Sequence, residues 1–319
     1  MTNNLREIDF AEEGITMKMK LAGVQIGPYE KDDTYDSYMK KQWDVFDELV
    51  KKEKPDLVLF PEVANGPYFC QVYNDDFFKL AETMEGRTAT DTIQKSKESG
   101  THIVSSIFEK DEAENKYYDN AFLCSPTKGL VGVYRKCHIP KLQTPTLTTD
   151  EPYYFSEGND LPVFPLDNGT PLAMMLCYDR SFPECWRTYY LKGARIICVA
   201  ACTWGFRGDF FINELRTRAF ETHTFVLVTN RAGDEIIEGE KKARDHFGKS
   251  AIIDPMGEIV TIVEKEPWSY IAAEVDLDLI DKVHDPLPWK RDRRPELYGI
   301  ITSSEREGLE DKYKRYDTM

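Results

Sequence analysis

At 319 residues, with 41% hydrophobic side chains and a formal charge of -15, the chain is long enough for one large α/β core or two average domains. The acidic balance argues against nucleic acid or an anionic membrane surface as a partner, while substrate charge stays open because one pocket can oppose the global field. No apolar run approaches the ~20 residues of a membrane-spanning helix. The seven cysteines are scattered without a CxxC pair, and the five histidines never fall at ligand spacing. A disulfide framework, a metal and a cofactor are therefore not expected. With no apolar signal segment ahead of Met17, a reducing cytoplasm is the expected home.

Residues 1–16 are polar and acidic and read as a loose extension. Lys18 to Ile26 alternates and then runs apolar, as a first strand should. Tyr35 to Lys52 sets Tyr38, Trp43, Val45, Phe46 and Leu49 among charges, the pattern of an amphipathic helix. Asp56 to Phe60 is a second buried strand, ending in Pro61 and Glu62. Thr88 to Gly100 reads as a helix closed by glycine, followed by a strand from His102 to Phe108. Lys116 to Cys124 and Gly129 to Lys136 form a hairpin that delivers Arg135 and Lys136 to an end. Residues 137–170 have little periodicity, and so long a connection inside a compact domain is expected to be functional.

In Pro171 to Glu184, PLAMMLCYDRSFPE, an apolar run stops at Cys177 and charge follows at once. This reads as a buried strand, a sharp turn and a helix start, with Cys177 at the carboxyl end of the strand. Such a turn points the following backbone N–H groups, beginning with Tyr178, at whatever the sulfur attacks. Pro183 to Leu191 then reads as a short helix, Ala194 to Ala201 as an apolar strand, Asp209 to Glu221 as a helix and Thr224 to Thr229 as a strand ending at Asn230. Strands at Ser250 to Asp254, Ile259 to Val263 and Tyr270 to Val275 follow. The halves share one plan, so the natural layer solution is two sheets packed face to face with helices outside. Residues 285–319 have too little apolar content to fold alone.

Three ionisable residues stand at or just past strand ends: Glu62, Lys136 and Cys177. Taken singly, each has a dull explanation: a helix cap, a solvated end, a core thiol. Jointly they offer a base, an electrophile and a nucleophile whose thiolate a nearby base and cation would activate.

The segments LFPE at Leu59 to Glu62, YRKCHIP at Tyr134 to Pro140 and CYDRSFPE at Cys177 to Glu184 occur in that order. With YDNA at Tyr118 to Ala121, NRAG at Asn230 to Gly233 and DPMGEI at Asp254 to Ile259, the chain resembles the nitrilase, or carbon–nitrogen hydrolase, superfamily over roughly residues 18–280. The resemblance implies a four-layer α-β-β-α sandwich and a homo-oligomer; a single hydrolase domain is expected over residues 17–284, with a tail over 285–319 that packs on another subunit or is disordered. It also implies a Glu-Lys-Cys triad at Glu62, Lys136 and Cys177. Glu62 would be the general base, Lys136 with the N–H of Tyr178 would stabilise an oxyanion, and Cys177 would form a thioester. A second family glutamate falls on Glu151, in a supporting role.

The Tyr178-Asp179 pair departs from the Cys-Trp-Glu of true nitrilases. Cys-Tyr-Asp-Arg followed by Phe-Pro-Glu is similar to N-carbamoyl amino acid amidohydrolases and β-ureidopropionases. Arg180 offers a planar fork for a carboxylate, and Thr203, Trp204 and Arg207 are expected to line the pocket, Arg207 as a rival clamp. The expectation is an amidohydrolase of a small carboxylate-bearing carbamoyl compound or amide that releases ammonia. The alternatives are an ω-amidase or aliphatic amidase, an N-carbamoylputrescine amidase, a nitrilase, or a silent scaffold relative.

Overall fold

The computed structural model describes residues 17–143 and 148–303. The expected extension over residues 1–16, residues 144–147 and the tail beyond Ser303 lie outside the described residues. The chain divides into two compact units, Met1–Val283 and His284–Met319.

The first unit opens with β1 (Lys18–Gln25), α1 (Tyr35–Glu53), β2 (Leu57–Leu59), α2 (Arg87–Ser99), β3 (His102–Asp111), β4 (Lys116–Ser125) and β5 (Gly129–Arg135). Helix α1 starts where Thr34 caps the Ser37 N–H and Ser37 answers to the Thr34 backbone, and it stops at Lys54 in the left-handed region. The connection over residues 137–170 contains three short strands, β6 (Lys141–Gln143), β7 (Thr148–Asp150) and β8 (Val163–Pro165). Then come β9 (Pro171–Leu176), α3 (Pro183–Leu191), β10 (Ile196–Ala200), α4 (Phe211–Thr222), β11 (Phe225–Thr229), β12 (Ala232–Glu235), β13 (Arg244–Phe247), β14 (Ser250–Ile253), β15 (Ile259–Val263), β16 (Ser269–Asp276) and α5 (Leu279–His284).

Two six-stranded sheets result, ordered β16-β1-β2-β3-β4-β5 and β15-β14-β11-β10-β9-β8. β16 leaves the sheet of its sequence neighbours and pairs antiparallel with β1 from Lys18↔Asp276 to Gln25↔Ser269. The centre of each sheet is parallel, β1-β2-β3 in one and β9-β10-β11 in the other. Parallel strands covered on both faces need apolar residues at every position rather than every second one. β9 shows why: Leu172, Met174 and Leu176 enter the core between the sheets, opposite Leu57, Leu59 and Leu123, while Ala173 and Met175 face Trp186 and Tyr189 of α3 and Phe211 of α4. On the outer face of the first sheet, Tyr38, Phe46 and Leu49 of α1 pack on Val24, Val58 and Ile103. The first unit is a four-layer α-β-β-α sandwich.

This layering brings the carboxyl ends of the parallel strands of both sheets together, the usual place for a site in open α/β sheets. Glu62 lies three residues beyond β2, Cys177 one beyond β9, Thr203 three beyond β10 and Asn230 one beyond β11. In the second unit, the described part holds α6 (Trp289–Asp292) and two short turns, Pro295–Leu297 and Gly299–Thr302, with Leu297, Ile300 and Ile301 exposed.

Gly158 shows how tightly the loop is set against the hairpin end. Its N–H donates to the Lys136 carbonyl at 2.7 Å, and a Cβ placed there would stand 2.1 Å from the Arg135 carbonyl oxygen. Gly158→Ala is expected to lower stability by about 1–3 kcal/mol, read from the urea midpoint. An unchanged midpoint would mean that this backbone is free to move aside.

Candidate active site

Lys136 has no solvent exposure, and a buried ammonium needs partners of opposite charge. Its Nζ donates to Glu62 Oε1 at 2.7 Å and to both oxygens of Glu151, at 2.9 and 2.7 Å. Asp119 Oδ2 is a further 3.2 Å neighbour. Burial works against the lysine charge, but the carboxylates clasping it, Glu151 and then Glu62, outweigh it and hold the ammonium well above the ordinary lysine value. Glu151 is itself buried and is lifted by that burial to about 7, against the pull of Lys136. The Tyr68 hydroxyl donates to Glu151 Oε1 at 2.5 Å.

Cys177 leaves β9 in the left-handed region, with φ +34°. A non-glycine residue there carries strain, and the residues after it hold the turn. Asp179 Oδ2 accepts from the Leu176 N–H and from the Tyr134 hydroxyl, while Asp179 Oδ1 accepts from the His138 backbone N–H and faces His138 Nδ1 at 2.8 Å. Arg180 donates to the Cys177 carbonyl at 2.5 Å. Burial pushes the Cys177 thiol up to about 12, helped by the Glu62 charge and opposed by Arg180 and Lys136. That shift favours the thiol form, and the sulfur is close enough to Glu62 and Lys136 to feel both charges.

Beneath Glu62 lies a second charged cluster. Arg231 is fully buried and donates to the carbonyls of Glu62, Val63 and Gly66, and also to Glu235 and the Tyr38 hydroxyl. Glu235 accepts from the Tyr29 and Tyr68 N–H groups and pairs with Arg244 at 2.9 Å. One network thus holds both the turn that carries Glu62 and the tyrosine that orients Glu151. Sequence reasoning marked NRAG and YDNA as landmarks without giving Arg231 or Asp119 a role, and it missed Tyr68 and Glu235.

The expected pocket residues separate by environment. Tyr178 is half-buried, its ring 5.2 Å from that of Phe182. Thr203 and Trp204 are buried, Thr203 donating its N–H to Asn230 and Trp204 packing edge-on against Tyr68. Arg180 is only 1% exposed; besides the Cys177 carbonyl it meets Glu214 Oε2 at 3.4 Å and lies over the Phe211 ring. Its fork is turned inward onto the chain's own groups. Arg207 shares Glu214 at 3.2 Å and reaches the Ser181 hydroxyl, with 21% of its side chain exposed. Among the described residues, no cluster of His, Cys, Asp or Glu is arranged to hold a metal ion.

Residues 20–285 match the family model described as carbon–nitrogen hydrolase. An N-carbamoylputrescine amidase from Oryza sativa subsp. japonica is 32% identical over 261 residues, covering 78% of this chain and 84% of that protein. A 2-oxoglutaramate amidase from Bacillus subtilis is 30% identical, covering 78% and 90%. Among solved structures, a carbon–nitrogen hydrolase from Helicobacter pylori G27 superposes with a TM-score of 0.82 at 24% identity over 90% of this chain and 99% of that one. Fold and matches together define a hydrolase of carbon–nitrogen bonds other than peptide bonds. The chain belongs to the carbon–nitrogen hydrolase family of the nitrilase superfamily.

Two measurements follow from this electrostatics. Labelling of Cys177 by iodoacetamide, located by peptide mass spectrometry, should be slow at neutral pH and still rising beyond about pH 8.5, where an ordinary thiol levels off. A plateau below neutrality would reveal a preformed thiolate instead. For Glu235, burial alone would raise the carboxyl, but Arg231 and Arg244 hold it down to about 2. A depressed carboxylate stabilises the fold above its unfolded value, near 4.5, and that contribution disappears as the pH falls toward 2. The stability gap between wild type and Glu235→Gln should thus be full above about pH 4.5 and close toward pH 2. A gap independent of pH would remove the ion pairs from the account.

Proposed function

We propose that the protein is a thiol amidohydrolase that opens the C–N bond of a small amide or N-carbamoyl compound through a thioester on Cys177. The observation that carries this reading is the buried Lys136 ammonium clasped at 2.7 Å by Glu62 and Glu151, beside a strand-end cysteine at positive φ. Glu62 takes the thiol proton as sulfur attacks the carbonyl carbon. Lys136 and the Tyr178 N–H stabilise the resulting oxyanion. Collapse breaks the C–N bond, and the departing nitrogen takes the proton from Glu62 and leaves as ammonia. Water then attacks the thioester, giving one proton to Glu62, which returns it to the sulfur. A ureido substrate releases carbon dioxide as well, because the carbamic acid formed loses it. Glu151, held by Tyr68, fixes Lys136 in place. A thiol that is protonated at rest suits this scheme, since proton transfer and attack then occur together rather than through a standing thiolate.

For the substrate we favour a carboxylate-bearing carbamoyl compound or amide, with Arg207 as its anchor. Arg180 is read as holding the Cys177 turn rather than the substrate. A second reading, an N-carbamoylated amine without a carboxylate, is favoured by the relatives named N-carbamoylputrescine amidase in Oryza sativa and Arabidopsis thaliana. Ammonia release from N-carbamoyl-β-alanine, N-carbamoyl-D- and L-amino acids, N-carbamoylputrescine, ω-amides and aliphatic amides separates the two. The expected result is turnover of carboxylate-bearing members that falls at least ~10³-fold in Cys177→Ala, with KM raised in Arg207→Gln. Preference for the polyamine would overturn the carboxylate assignment and spare the thiol chemistry. Turnover that survives Cys177→Ala would overturn the thioester.

A further inference from the structure

The Lys136 cluster holds one carboxyl more than the chemistry above uses. Asp119 lies on β4, opposite Lys136 across the hairpin, and its carbonyl accepts the Lys136 N–H at 2.9 Å. Its side chain is fully buried, with Oδ2 3.2 Å from Lys136 Nζ. Neither Asp119 oxygen has a hydrogen-bond partner, and neither does Glu62 Oε2, although the two carboxyl groups lie within hydrogen-bonding reach of each other. Buried polar atoms in folded proteins are almost always paired. Two adjacent carboxylates offer four acceptor oxygens and no donor, so the missing partner is a proton.

Charge leads to the same place. Ionised Glu62, Asp119 and Glu151 against one ammonium would leave two uncompensated negative charges on fully buried side chains, and like charges sharing a site force one of them to take up a proton. Of the three, Glu151 accepts from both Lys136 and the Tyr68 hydroxyl, and Glu62 accepts from Lys136. Asp119 accepts from no side chain. Other titratable groups nearby are Cys70, whose thiol is raised well above its ordinary value chiefly by burial, and Cys177; neither supplies a cation.

We propose that Asp119 stands in the resting enzyme as a neutral acid that donates its proton to Glu62 Oε2, making it a positioning residue for the base. Burial, with the Glu62 charge next, raises Asp119 well above the usual carboxylate range, in keeping with this state. The proton stays on Asp119 through the cycle. Each Glu62 oxygen keeps a second lone pair for the thiol proton, while Lys136 on one oxygen and Asp119 on the other fix the plane of the carboxylate.

The proposal rests on Glu62 acting as base, and its test separates the two. Infrared spectra of the wild-type enzyme carrying heavy-carbon-labelled aspartate are expected to show at neutral pH a protonated carboxyl band that is lost in Asp119→Asn. This readout needs neither substrate nor turnover, so it stands even if Glu62→Gln proves fully active and the assignment of the base fails. In kinetics, Asp119→Leu removes the donor and is expected to lower kcat at least roughly tenfold and to move the acid limb of kcat/KM upward. Asp119→Asn keeps an N–H donor and is expected to recover most of that loss and return the limb toward its wild-type position. An ionised Asp119 would do the opposite: removing its negative charge in either variant would move the limb downward, and the labelled wild type would show only carboxylate bands. Either of those results overturns the proposal.

Discussion

The structure turns on keeping one lysine charged where water does not reach. Moving an ammonium out of water costs several kcal/mol even after relaxation, and only close, well-aligned opposite charges offset it. Lys136 obtains them from two separate places, Glu62 beyond β2 and Glu151 just past β7, with the Asp119 carboxyl of β4 beside them. None of these is its neighbour in sequence. The first sheet must therefore be in register, and the 137–170 connection must be folded back, before the charge is compensated. Cys177 arrives from the other sheet, so the site exists only once the two sheets have packed. The inter-sheet core of leucines, methionines and isoleucines drives that packing, and the charged cluster then specifies one arrangement of the strand ends.

Strain is concentrated at the same ends. Val63, directly after Glu62, has φ +46°, and Cys177 has φ +34°. Each costs on the order of 1–3 kcal/mol and persists only because its surroundings over-determine it. For Val63 the restraints are the Ser106 hydroxyl on its N–H and Arg231 on its carbonyl. For Cys177 they are Arg180 on its carbonyl and Asp179 on the Leu176 N–H. Two buried guanidiniums thus each direct an Nη group at backbone oxygens and keep the candidate base and nucleophile in conformations that no propensity would select. That is a use of arginine which its fixed, multi-donor fork suits and a lysine would not.

These facts also explain what could be read from the sequence. The strand Ile259–Val263 and the helix Pro183–Leu191 were legible to the residue, and the strand before Cys177 to within one residue of its end, because apolar runs and a proline at a helix start leave local marks. Within residues 137–170 the three-residue strands β6, β7 and β8 left none, being too short for any period to show. The β12–β13 hairpin escaped for a different reason: its inward residues include Glu235, Arg244 and His246, a polar pattern that local reasoning assigns to solvent. Glu62, Lys136 and Cys177 stood out because each follows a strand. Tyr68 and Arg231 did not, since their roles are set by partners 83 and 168 residues away.

Arg180 and Arg207 show the same limit from the side of recognition. From the sequence both read as open forks near the thiol. In the fold they converge on one carboxylate, Glu214 of α4, and differ in access: Arg180 is enclosed, whereas Arg207 keeps part of its side chain toward solvent. Two guanidiniums on one carboxylate leave a local excess of positive charge, despite a net charge of -15 for the whole chain. The Glu62 charge also acts on the Cys177 thiol, against Arg180 and Lys136. If Arg207 anchors the substrate as proposed, the charge a substrate meets depends on how firmly Glu214 holds Arg207, because a carboxylate arriving there has to compete with a neighbour already in place. Selectivity in such a site is a difference between two pairings, and counting arginines in a motif cannot reveal that difference.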